Sequence, residues 1–183
     1  MKNILFIVGS FRKNSFNHQL ARSIENTLSG NANINYLEYD ELPFYNQDIE
    51  TPVPESVSYV RRAVQKADGV WIFSPEYNSS FPGGLKNLLD WLSCPADPGN
   101  RKSDSVLKGK AVTLSSAAGK SAGIGVRKGL AQLAQAMSMK LICGEGTGYV
   151  LGAQAFQSGV VQLSDEDMEM LRVHGEEFLA ALA

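Results

Sequence analysis

Short apolar runs alternate with segments of helical periodicity along the whole chain, and this alternation constrains the fold more than any other feature. The runs are nearly continuous, which is typical of parallel strands that are buried on both faces. They lie at 4–8, 34–39, 69–73, 111–114 and 140–143. Because each run is followed by a helical stripe, the sequence predicts an α/β fold with a doubly wound, five-stranded parallel sheet and helices on both faces.

Apolar residues recur every three or four positions in five segments, which predicts five amphipathic helices. The stripes consist of Phe16, Leu20, Ala21, Ile24 and Leu28; Val57, Val60, Val64 and Ala67; Leu85, Leu88, Leu89 and Leu92; Val126, Leu130, Leu133 and Met137; and Met168, Leu171, Phe178 and Leu182. Asp167 follows Ser164 by three residues, as in a capping box, and predicts the start of the last helix. No break in composition divides the chain, so we expect residues 1–183 to form one domain.

The composition argues against several classes of protein. The 17 basic and 19 acidic side chains nearly cancel, whereas a protein that binds nucleic acid concentrates basic residues. No apolar run approaches the roughly 20 residues of a membrane helix, and the amino terminus lacks a cleavage-site pattern. Two cysteines, Cys94 and Cys143, are too few for a disulfide framework or a cysteine-only zinc site. We therefore expect a cytoplasmic protein without a membrane or nucleic-acid partner and without a bound metal.

Ligands of an open α/β sheet bind at the carboxyl ends of the strands, so the loops after the strands are the informative ones. The loop after the first strand carries hydroxyl, guanidinium and amide donors at Ser10, Arg12, Ser15 and Asn17. It ends at a predicted helix start, where unpaired N–H groups favour an anion. This loop lacks the three spaced glycines of a dinucleotide-binding loop, and it lacks the Gly-Lys-Ser/Thr ending of a nucleotide P-loop. The alternative is that Ser15 is a simple helix cap and that Arg12 is solvated.

The loop after the third strand predicts a rigid turn, because two prolines and two glycines lie within 74–87. Its Tyr77 has a flat amphipathic ring and its Asn78 can both donate and accept, so the loop could hold the edge of a heterocycle. The alternative is a turn capped by Asn78 with Tyr77 as ordinary packing. A third loop, 115–121, consists of small residues and is rich in donors. Such loops are common, so this one is only weak evidence for a ligand site by itself.

The sequence offers no catalytic set of side chains. His18 and His174 lie on predicted helices, where we expect them to be exposed, and the first loop has no acidic nucleophile. A bound cofactor would therefore have to supply the chemistry. Two stretches, 93–108 and 144–159, have no clear periodicity and are either surface loops or walls of a ligand site or subunit contact.

At these loops the chain resembles the NAD(P)H-dependent FMN reductase family of flavodoxin-like proteins, which includes quinone, chromate and azo-dye reductases. The first match consists of Gly9, Ser10, Arg12, Ser15, Asn17, Leu20 and Ala21. The second consists of Pro75, Glu76, Tyr77, Asn78, Ser80, Pro82, Gly83, Leu85, Lys86, Asn87, Asp90 and Trp91. The chain departs from the family at Cys94, where an arginine is usual, in the long segment 95–104, and in the third loop, which fits only in part.

The resemblance implies the strand order 2-1-3-4-5 and a bound FMN. It implies that the phosphate lies among Ser10, Arg12, Ser15 and Asn17. The isoalloxazine would meet Pro75, Glu76, Tyr77 and Asn78, largely through backbone groups, and its pyrimidine side would face Ser115, Ser116 and Gly119. It further implies a homodimer or homotetramer through the helix at 82–93, with Asp90 and Trp91 at the contact. The alternative is that Trp91 belongs to the core or covers the edge of the sheet.

The activity that the resemblance implies is that of an FMN-dependent oxidoreductase. A hydride from NADPH or NADH would pass to the flavin and the electrons would then pass to a small acceptor, namely a quinone, azo compound, metal oxyanion or free flavin. The catalytic chemistry would reside on the flavin, with no catalytic side chain. The alternatives are a flavodoxin-type electron-transfer protein and a module that binds another phosphorylated ligand.

Overall fold

Strands and helices alternate in the computed structural model, which describes residues 1–97 and 99–183. The strands are β1 (Lys2–Val8), β2 (Ala32–Tyr36), β3 (Gly69–Phe73), β4 (Ala111–Ala118), β5 (Lys140–Leu141) and β6 (Thr147–Val150). The helices are α1 (Phe16–Thr27), α2 (Glu55–Lys66), α3 (Gly83–Ser93), α4 (Ile124–Ala136), α5 (Ala153–Ser158) and α6 (Asp165–Ala181). Pro98, which belongs to the predicted irregular stretch 93–108, lies outside the described residues.

The strands form one parallel sheet in the order β2-β1-β3-β4-β5, and β6 also pairs with β4. Buried side chains of α2, α3 and α4 pack on one face of the sheet, and those of α1, α5 and α6 pack on the other. The doubly wound fold and its strand order are therefore confirmed. Among the described residues, no helix is both long enough and apolar enough to cross a membrane.

The edge of the sheet beyond β4 differs from the prediction of one strand at 140–143. Strand β5 ends at Leu141, and the pairing with β4 resumes at β6 after a loop in which Cys143, Gly144 and Gly146 have positive φ angles. A Cβ at Gly146 would lie 1.9 Å from the Leu114 carbonyl oxygen, so only glycine fits there. The stretch 144–159 is thus partly regular, and β4 extends past its predicted end because β6 pairs with it.

Most of the predicted helical stripes are buried, but two expectations about α6 were wrong. This helix packs on the sheet through Leu171, His174, Gly175 and Phe178, and the capping box at Ser164 is present. Met168 lies one turn before this contact and is 40% exposed. His174 is 3% exposed, because two threonines on neighbouring strands bind its ring nitrogens.

Candidate functional site

A cavity of about 470 Å³ lies at the carboxyl ends of β1, β3 and β4, where ligands of open α/β sheets bind. Its walls come from four segments of the chain: Ser10, Arg12, Ser15, Phe16 and Asn17; Pro75, Glu76 and Tyr77; Ala117, Ala118 and Gly119; and Leu151, Phe156 and Gly159. A larger groove of about 880 Å³ lies at the opposite ends of the strands, among residues such as Met1 and Ala183. The smaller cavity is the candidate site, because three predicted loops converge on it.

The backbone at the start of α1 has free donors directed away from the helix. Ser15 caps the helix, and its hydroxyl oxygen accepts from the His18 N–H at 3.2 Å. In the described part of the chain, the N–H groups of Phe16 and Asn17 have no protein acceptor. Such orphan donors at a helix N-terminus, together with the positive end of the helix dipole, favour an anion.

Ser15 and His18 form a second contact, because the Ser15 hydroxyl lies 2.9 Å from the His18 Nδ1. Burial, with a smaller contribution from the charge of Arg22, lowers the pKa of His18. The Ser15 side chain is thus bonded as a helix cap, the alternative that the sequence left open. Its neighbour Arg12 is exposed, and its guanidinium carbon lies 5.1 Å from the centre of the Phe16 ring.

Asn17 is bonded to the protein through both ends of its amide. Its Nδ2 donates to the Ala117 carbonyl at 3.0 Å, and its Oδ1 accepts from the Ala117 N–H at 3.0 Å. Strand β3 pairs with β4 only as far as Ser115, so the Asn17 side chain takes the place of a strand beside Ala117. Asn17 is 2% exposed, and it positions the start of α1 against β4.

The loop after β3 contains a tight hairpin at the mouth of the cavity. Tyr77 and Ser80 exchange two backbone hydrogen bonds of 2.8 and 3.0 Å across Asn78 and Ser79. Both central residues have positive φ angles, 51° and 61°, as in a type I′ turn. Asn78 forms the tip of this turn and does not line the cavity, whereas the exposed Tyr77 does.

Glu76 joins this loop to α4. Its Oε2 accepts from the Val126 N–H at 2.9 Å, and its Oε1 accepts from the Ser121 hydroxyl at 3.4 Å. The residue before α4, Gly123, provides no side-chain cap, so the Glu76 carboxylate supplies one from another loop. A Cβ at Gly123 would lie 2.0 Å from the Ser116 hydroxyl oxygen, which explains the bare cap.

Two predicted residues, Ser115 and Ser116, lie in the interior and do not line the cavity. The Ser116 hydroxyl donates to the Ser74 carbonyl at 2.7 Å. Ser115 accepts from the Trp71 indole N–H at 3.0 Å and contacts the Thr147 hydroxyl, also at 3.0 Å. Their side chains therefore stabilise the floor beneath the cavity, and Gly119 is the residue of the third loop that lines it.

His174 extends this buried hydrogen-bonded chain. Its Nδ1 lies 2.8 Å from the Thr147 hydroxyl and its Nε2 lies 2.6 Å from the Thr113 hydroxyl. The ring centre lies 4.6 Å from that of Trp71. Burial, aided by the charge of Arg127, lowers the pKa of His174 to about 4, so the imidazole is neutral near pH 7. A helical position alone gave no signal of this burial.

The fourth wall of the cavity was not among the predicted site residues. Leu151, Phe156 and Gly159 come from the segment around α5, and the Phe156 ring contacts Phe16 with their centres 5.5 Å apart. The only signal in the sequence was the lack of periodicity in 144–159, which is consistent with either a surface loop or a wall of a ligand site. The structure favours a ligand wall for the second half of this stretch.

The resemblance implied that Trp91 of α3 lies at a subunit contact, but this side chain is covered within the chain. Trp91 is fully buried, and its indole N–H donates to the Pro43 carbonyl at 2.8 Å. Asn87 also donates to this carbonyl and accepts from the Tyr45 N–H. The segment around Pro43 therefore covers this face of the helix within the chain. Lys86 and Asp90 form an exposed ion pair of 2.6 Å one turn apart.

The two thiols have no reactive environment. Burial raises the pKa of Cys94 and, together with the nearby charge of Glu177, raises the pKa of Cys143 to about 11. Both thiols are therefore protonated near neutral pH. Among the described residues, no three histidine, cysteine, aspartate or glutamate side chains are grouped to hold a metal ion.

Solved structures resemble this fold over its whole length. A flavoenzyme NAD(P)H:(acceptor) oxidoreductase from Paracoccus denitrificans superposes with a TM-score of 0.86 at 24% identity, over 100% of this chain and 97% of that one. A flavodoxin from Streptococcus pneumoniae superposes with a TM-score of 0.63 at 13% identity, over 98% and 99% of the two chains. At these identities the likeness establishes the flavodoxin-like fold alone.

Sequence relatives are more similar but match over shorter stretches. A 2-hydroxy-1,4-benzoquinone reductase from a Burkholderia species is 40% identical over 92 residues, which is 50% of each chain. A quinone reductase of Escherichia coli is 38% identical over 114 residues, or 61% of this chain and 57% of that one. The matches thus span about half the length of these relatives. Residues 2–148 match the family described as NADPH-dependent FMN reductase, and the chain belongs to that family.

Proposed function

We propose that this chain is an FMN-dependent oxidoreductase that takes a hydride from NADPH or NADH and passes electrons to a small acceptor. The acceptor classes are quinones, azo compounds, metal oxyanions and free flavin. The observation that carries the proposal is one cavity that is lined both by the start of α1, with its orphan N–H groups and the exposed Arg12 guanidinium, and by the loop 75–77. The match of residues 2–148 to the family supports it.

The cavity residues fit FMN in charge and in hydrogen-bonding groups. The N–H groups of Phe16 and Asn17 with Arg12 would hold the phosphate dianion, and Ser10 would add a hydroxyl donor beside them. The edge of the flat ring would meet Pro75 and Gly119 near the exposed Tyr77, since all three residues line the cavity. The side chains of Ser15 and Asn17 are bonded to the protein, so they would not contact the phosphate directly. They would instead fix the backbone at the start of α1, whose N–H groups would bind it.

The chemistry that bound FMN supplies is acceptance of a hydride and delivery of two electrons, and the chain's task is to bind and orient the cofactor. Glu76 is the only carboxylate that lines the cavity among the described residues, and Val126 and Ser121 donate to it. It therefore holds two loops in register and leaves proton transfer to solvent. The proposal therefore assigns no side chain a role as acid or base.

The assembly and the extent of the domain belong to the same proposal. We take residues 1–183 as one FMN-binding domain, because the segment after residue 148 contributes Leu151, Phe156 and Gly159 to the cavity. A homodimer or homotetramer would use the exposed side of α3 that carries Lys86 and Asp90, since Trp91 is covered within the chain. A cytoplasmic location stays a prediction.

A visible absorption spectrum tests the proposed function. The purified protein is mixed with FMN, freed of excess ligand and then reduced anaerobically with NADPH and, in a separate sample, with NADH. We expect a bound-flavin spectrum that bleaches in one step with at least one donor. Bound flavin that both donors leave oxidised would favour a flavodoxin-type carrier, and a protein that binds no flavin would contradict the proposal.

A further inference from the structure

The segment 151–161, which we call the strap, forms the wall of the cavity beside the phosphate end. It connects β6 to α6 and lies beyond residues 2–148, the part of the chain that matches the family. Leu151, Phe156 and Gly159 of the strap share the cavity with Ser10, Arg12 and Ser15. A ligand bound at the start of α1 would therefore lie between the strap and the first loop.

Leu151, Ala155 and Val161 pack the strap against the apolar core, and among the described residues Gln19 makes two of its three hydrogen bonds to the rest of the chain. At its first end, the Leu151 N–H donates to the Ala118 carbonyl at 2.7 Å. At its other end, the Gln19 Nε2 donates to the Gly159 carbonyl at 2.8 Å, and the Gln19 Oε1 accepts from the Val161 N–H at 2.8 Å. Between these ends Ala155 is buried but Phe156 is 59% exposed.

Gln19 also contacts the first loop. The same Nε2 donates to the Asn14 carbonyl at 3.0 Å, in the turn just before the Ser15 cap. Beside it the centre of the Phe16 ring lies 5.1 Å from the Arg12 guanidinium carbon and 5.5 Å from the centre of the Phe156 ring. One amide and one aromatic contact thus tie the strap to the loop that carries the orphan N–H donors.

We propose that Gln19 is a positioning residue that holds the strap closed against the phosphate loop and thereby slows the release of bound FMN. The inference rests on the proposed function, because it assigns FMN to this cavity. Without the three bonds of Gln19, the second half of the strap would open locally more often, and a ligand leaves through such openings. The effect should therefore appear mainly in the dissociation rate constant and little in the association rate constant.

The test compares Gln19→Ala with Gln132→Ala, which removes an exposed helical glutamine that makes no side-chain hydrogen bond among the described residues. Phe156→Ala is the second variant, since its exposed ring can be removed without opening the core. Stopped-flow fluorescence gives the rate constants for FMN, and hydrogen exchange of the protein without FMN reports on the strap. We expect Gln19→Ala to raise the FMN dissociation rate about tenfold and to speed exchange within 151–161. Phe156→Ala should raise the dissociation rate by a smaller factor.

Each arm has an outcome that overturns the inference. Unchanged exchange in Gln19→Ala would show that this side chain does not hold the strap. Faster exchange in Gln19→Ala with an unchanged FMN dissociation rate would show that Gln19 does not retain the ligand, whatever the result for Phe156→Ala. A wild-type chain that binds no FMN would refute the proposed function and this role with it, whereas the first two results leave the proposed function intact.

Discussion

The layer of buried polar side chains beneath the cavity, which we call the floor, differs from the rim of the cavity in where its polar groups are bonded. The floor, which we define as Asn17, Ser115, Ser116 and His174, is almost completely buried, and each of these side chains is bonded to another part of the chain. The rim, which we define as Arg12, Tyr77, Asn78 and Ser79, is exposed to solvent.

This difference separates two kinds of site residue that look alike in sequence. A buried side chain that is fully bonded cannot reach for a ligand without leaving a protein group unpaired, which costs about 1–3 kcal/mol for each group. An exposed side chain gives up only contacts with water. Floor substitutions should therefore lower the free energy of unfolding. Substitutions of Arg12 and Tyr77, the rim residues that line the cavity, should lower the affinity for FMN at nearly constant stability.

The largest effect is expected on the floor, from Asn17→Ala. This change leaves the N–H and the carbonyl of Ala117 buried without the amide that binds them, which should lower the free energy of unfolding by about 2–4 kcal/mol. Urea denaturation measures the change. The control is Asn26→Ala, an exposed asparagine in the last turn of the same helix, which should change stability little. Equal losses in the two variants would contradict the role of Asn17 on the floor.

On the rim, Arg12→Ala should weaken FMN binding without unfolding the protein. Loss of one charge-assisted contact with the phosphate costs about 1.5–3 kcal/mol, or about 10- to 150-fold in affinity. Fluorescence titration gives the dissociation constant. Lys13→Ala removes the same charge one residue away and serves as the control. If both variants lost affinity equally, the attraction would be a general effect of charge and not a contact of the guanidinium.

Acid should weaken the floor through His174. The pKa of its ring is about 4 in the folded chain and 6.5 in the unfolded chain. The contribution of His174 to the free energy of unfolding is therefore complete above pH 6.5 and is lost as the pH falls toward 4. In the wild type, the titration of this residue should make the free energy of unfolding about 2 kcal/mol lower at pH 5 than at pH 7. His174→Gln, which cannot titrate, should lack that part of the loss. Parallel stability curves for the two proteins would refute the burial of a neutral ring.

The division into strands, helices and loops was predictable, because apolar periodicity is a local property of the sequence. The bonding of the floor was not, since its partners are far apart in the chain. Asn17 binds Ala117, 100 residues away, and His174 binds Thr113, 61 residues away. The motif therefore identified Asn17 as a site residue but could not show that its amide is bonded to β4.

The interrupted edge strand was unpredictable for a different reason. Its loop depends on a positive φ at Cys143, a residue that rarely adopts this conformation, and on the close approach of Gly146 to Leu114. A single sequence does not reveal such a requirement. For most of the strap the sequence left a ligand wall as one of two alternatives, and it did not identify Phe156, because this segment has no distinctive composition.

Glu76, which precedes Tyr77 of the rim and caps α4, should have an intermediate effect when it is removed. Glu76→Ala removes the cap of α4 and should cost about 1 kcal/mol of stability, with a small loss of FMN affinity because the Tyr77 loop is then less well fixed. Glu76→Gln keeps an oxygen that can accept from Val126 and should lose less. Thermal unfolding of both variants measures the difference. Equal losses would indicate that the negative charge matters more than the hydrogen bond.

The smallest effect is expected at the tip of the rim, where substitution should stabilise the protein. Ser79 has a φ of 61°, which costs a non-glycine residue about 1 kcal/mol, and the turn favours asparagine followed by glycine. Ser79→Gly should therefore raise the free energy of unfolding, by only about 0.5 kcal/mol because glycine is also more flexible when unfolded. Ser80→Gly is the matched control. Ser80 lies outside the left-handed region, so Ser80→Gly should lower the free energy of unfolding.

FMN affinity should stay the same in Ser79→Gly, because Ser79 does not line the cavity. A loss of affinity would mean that the rim acts through the rigidity of this turn as well as through its side chains.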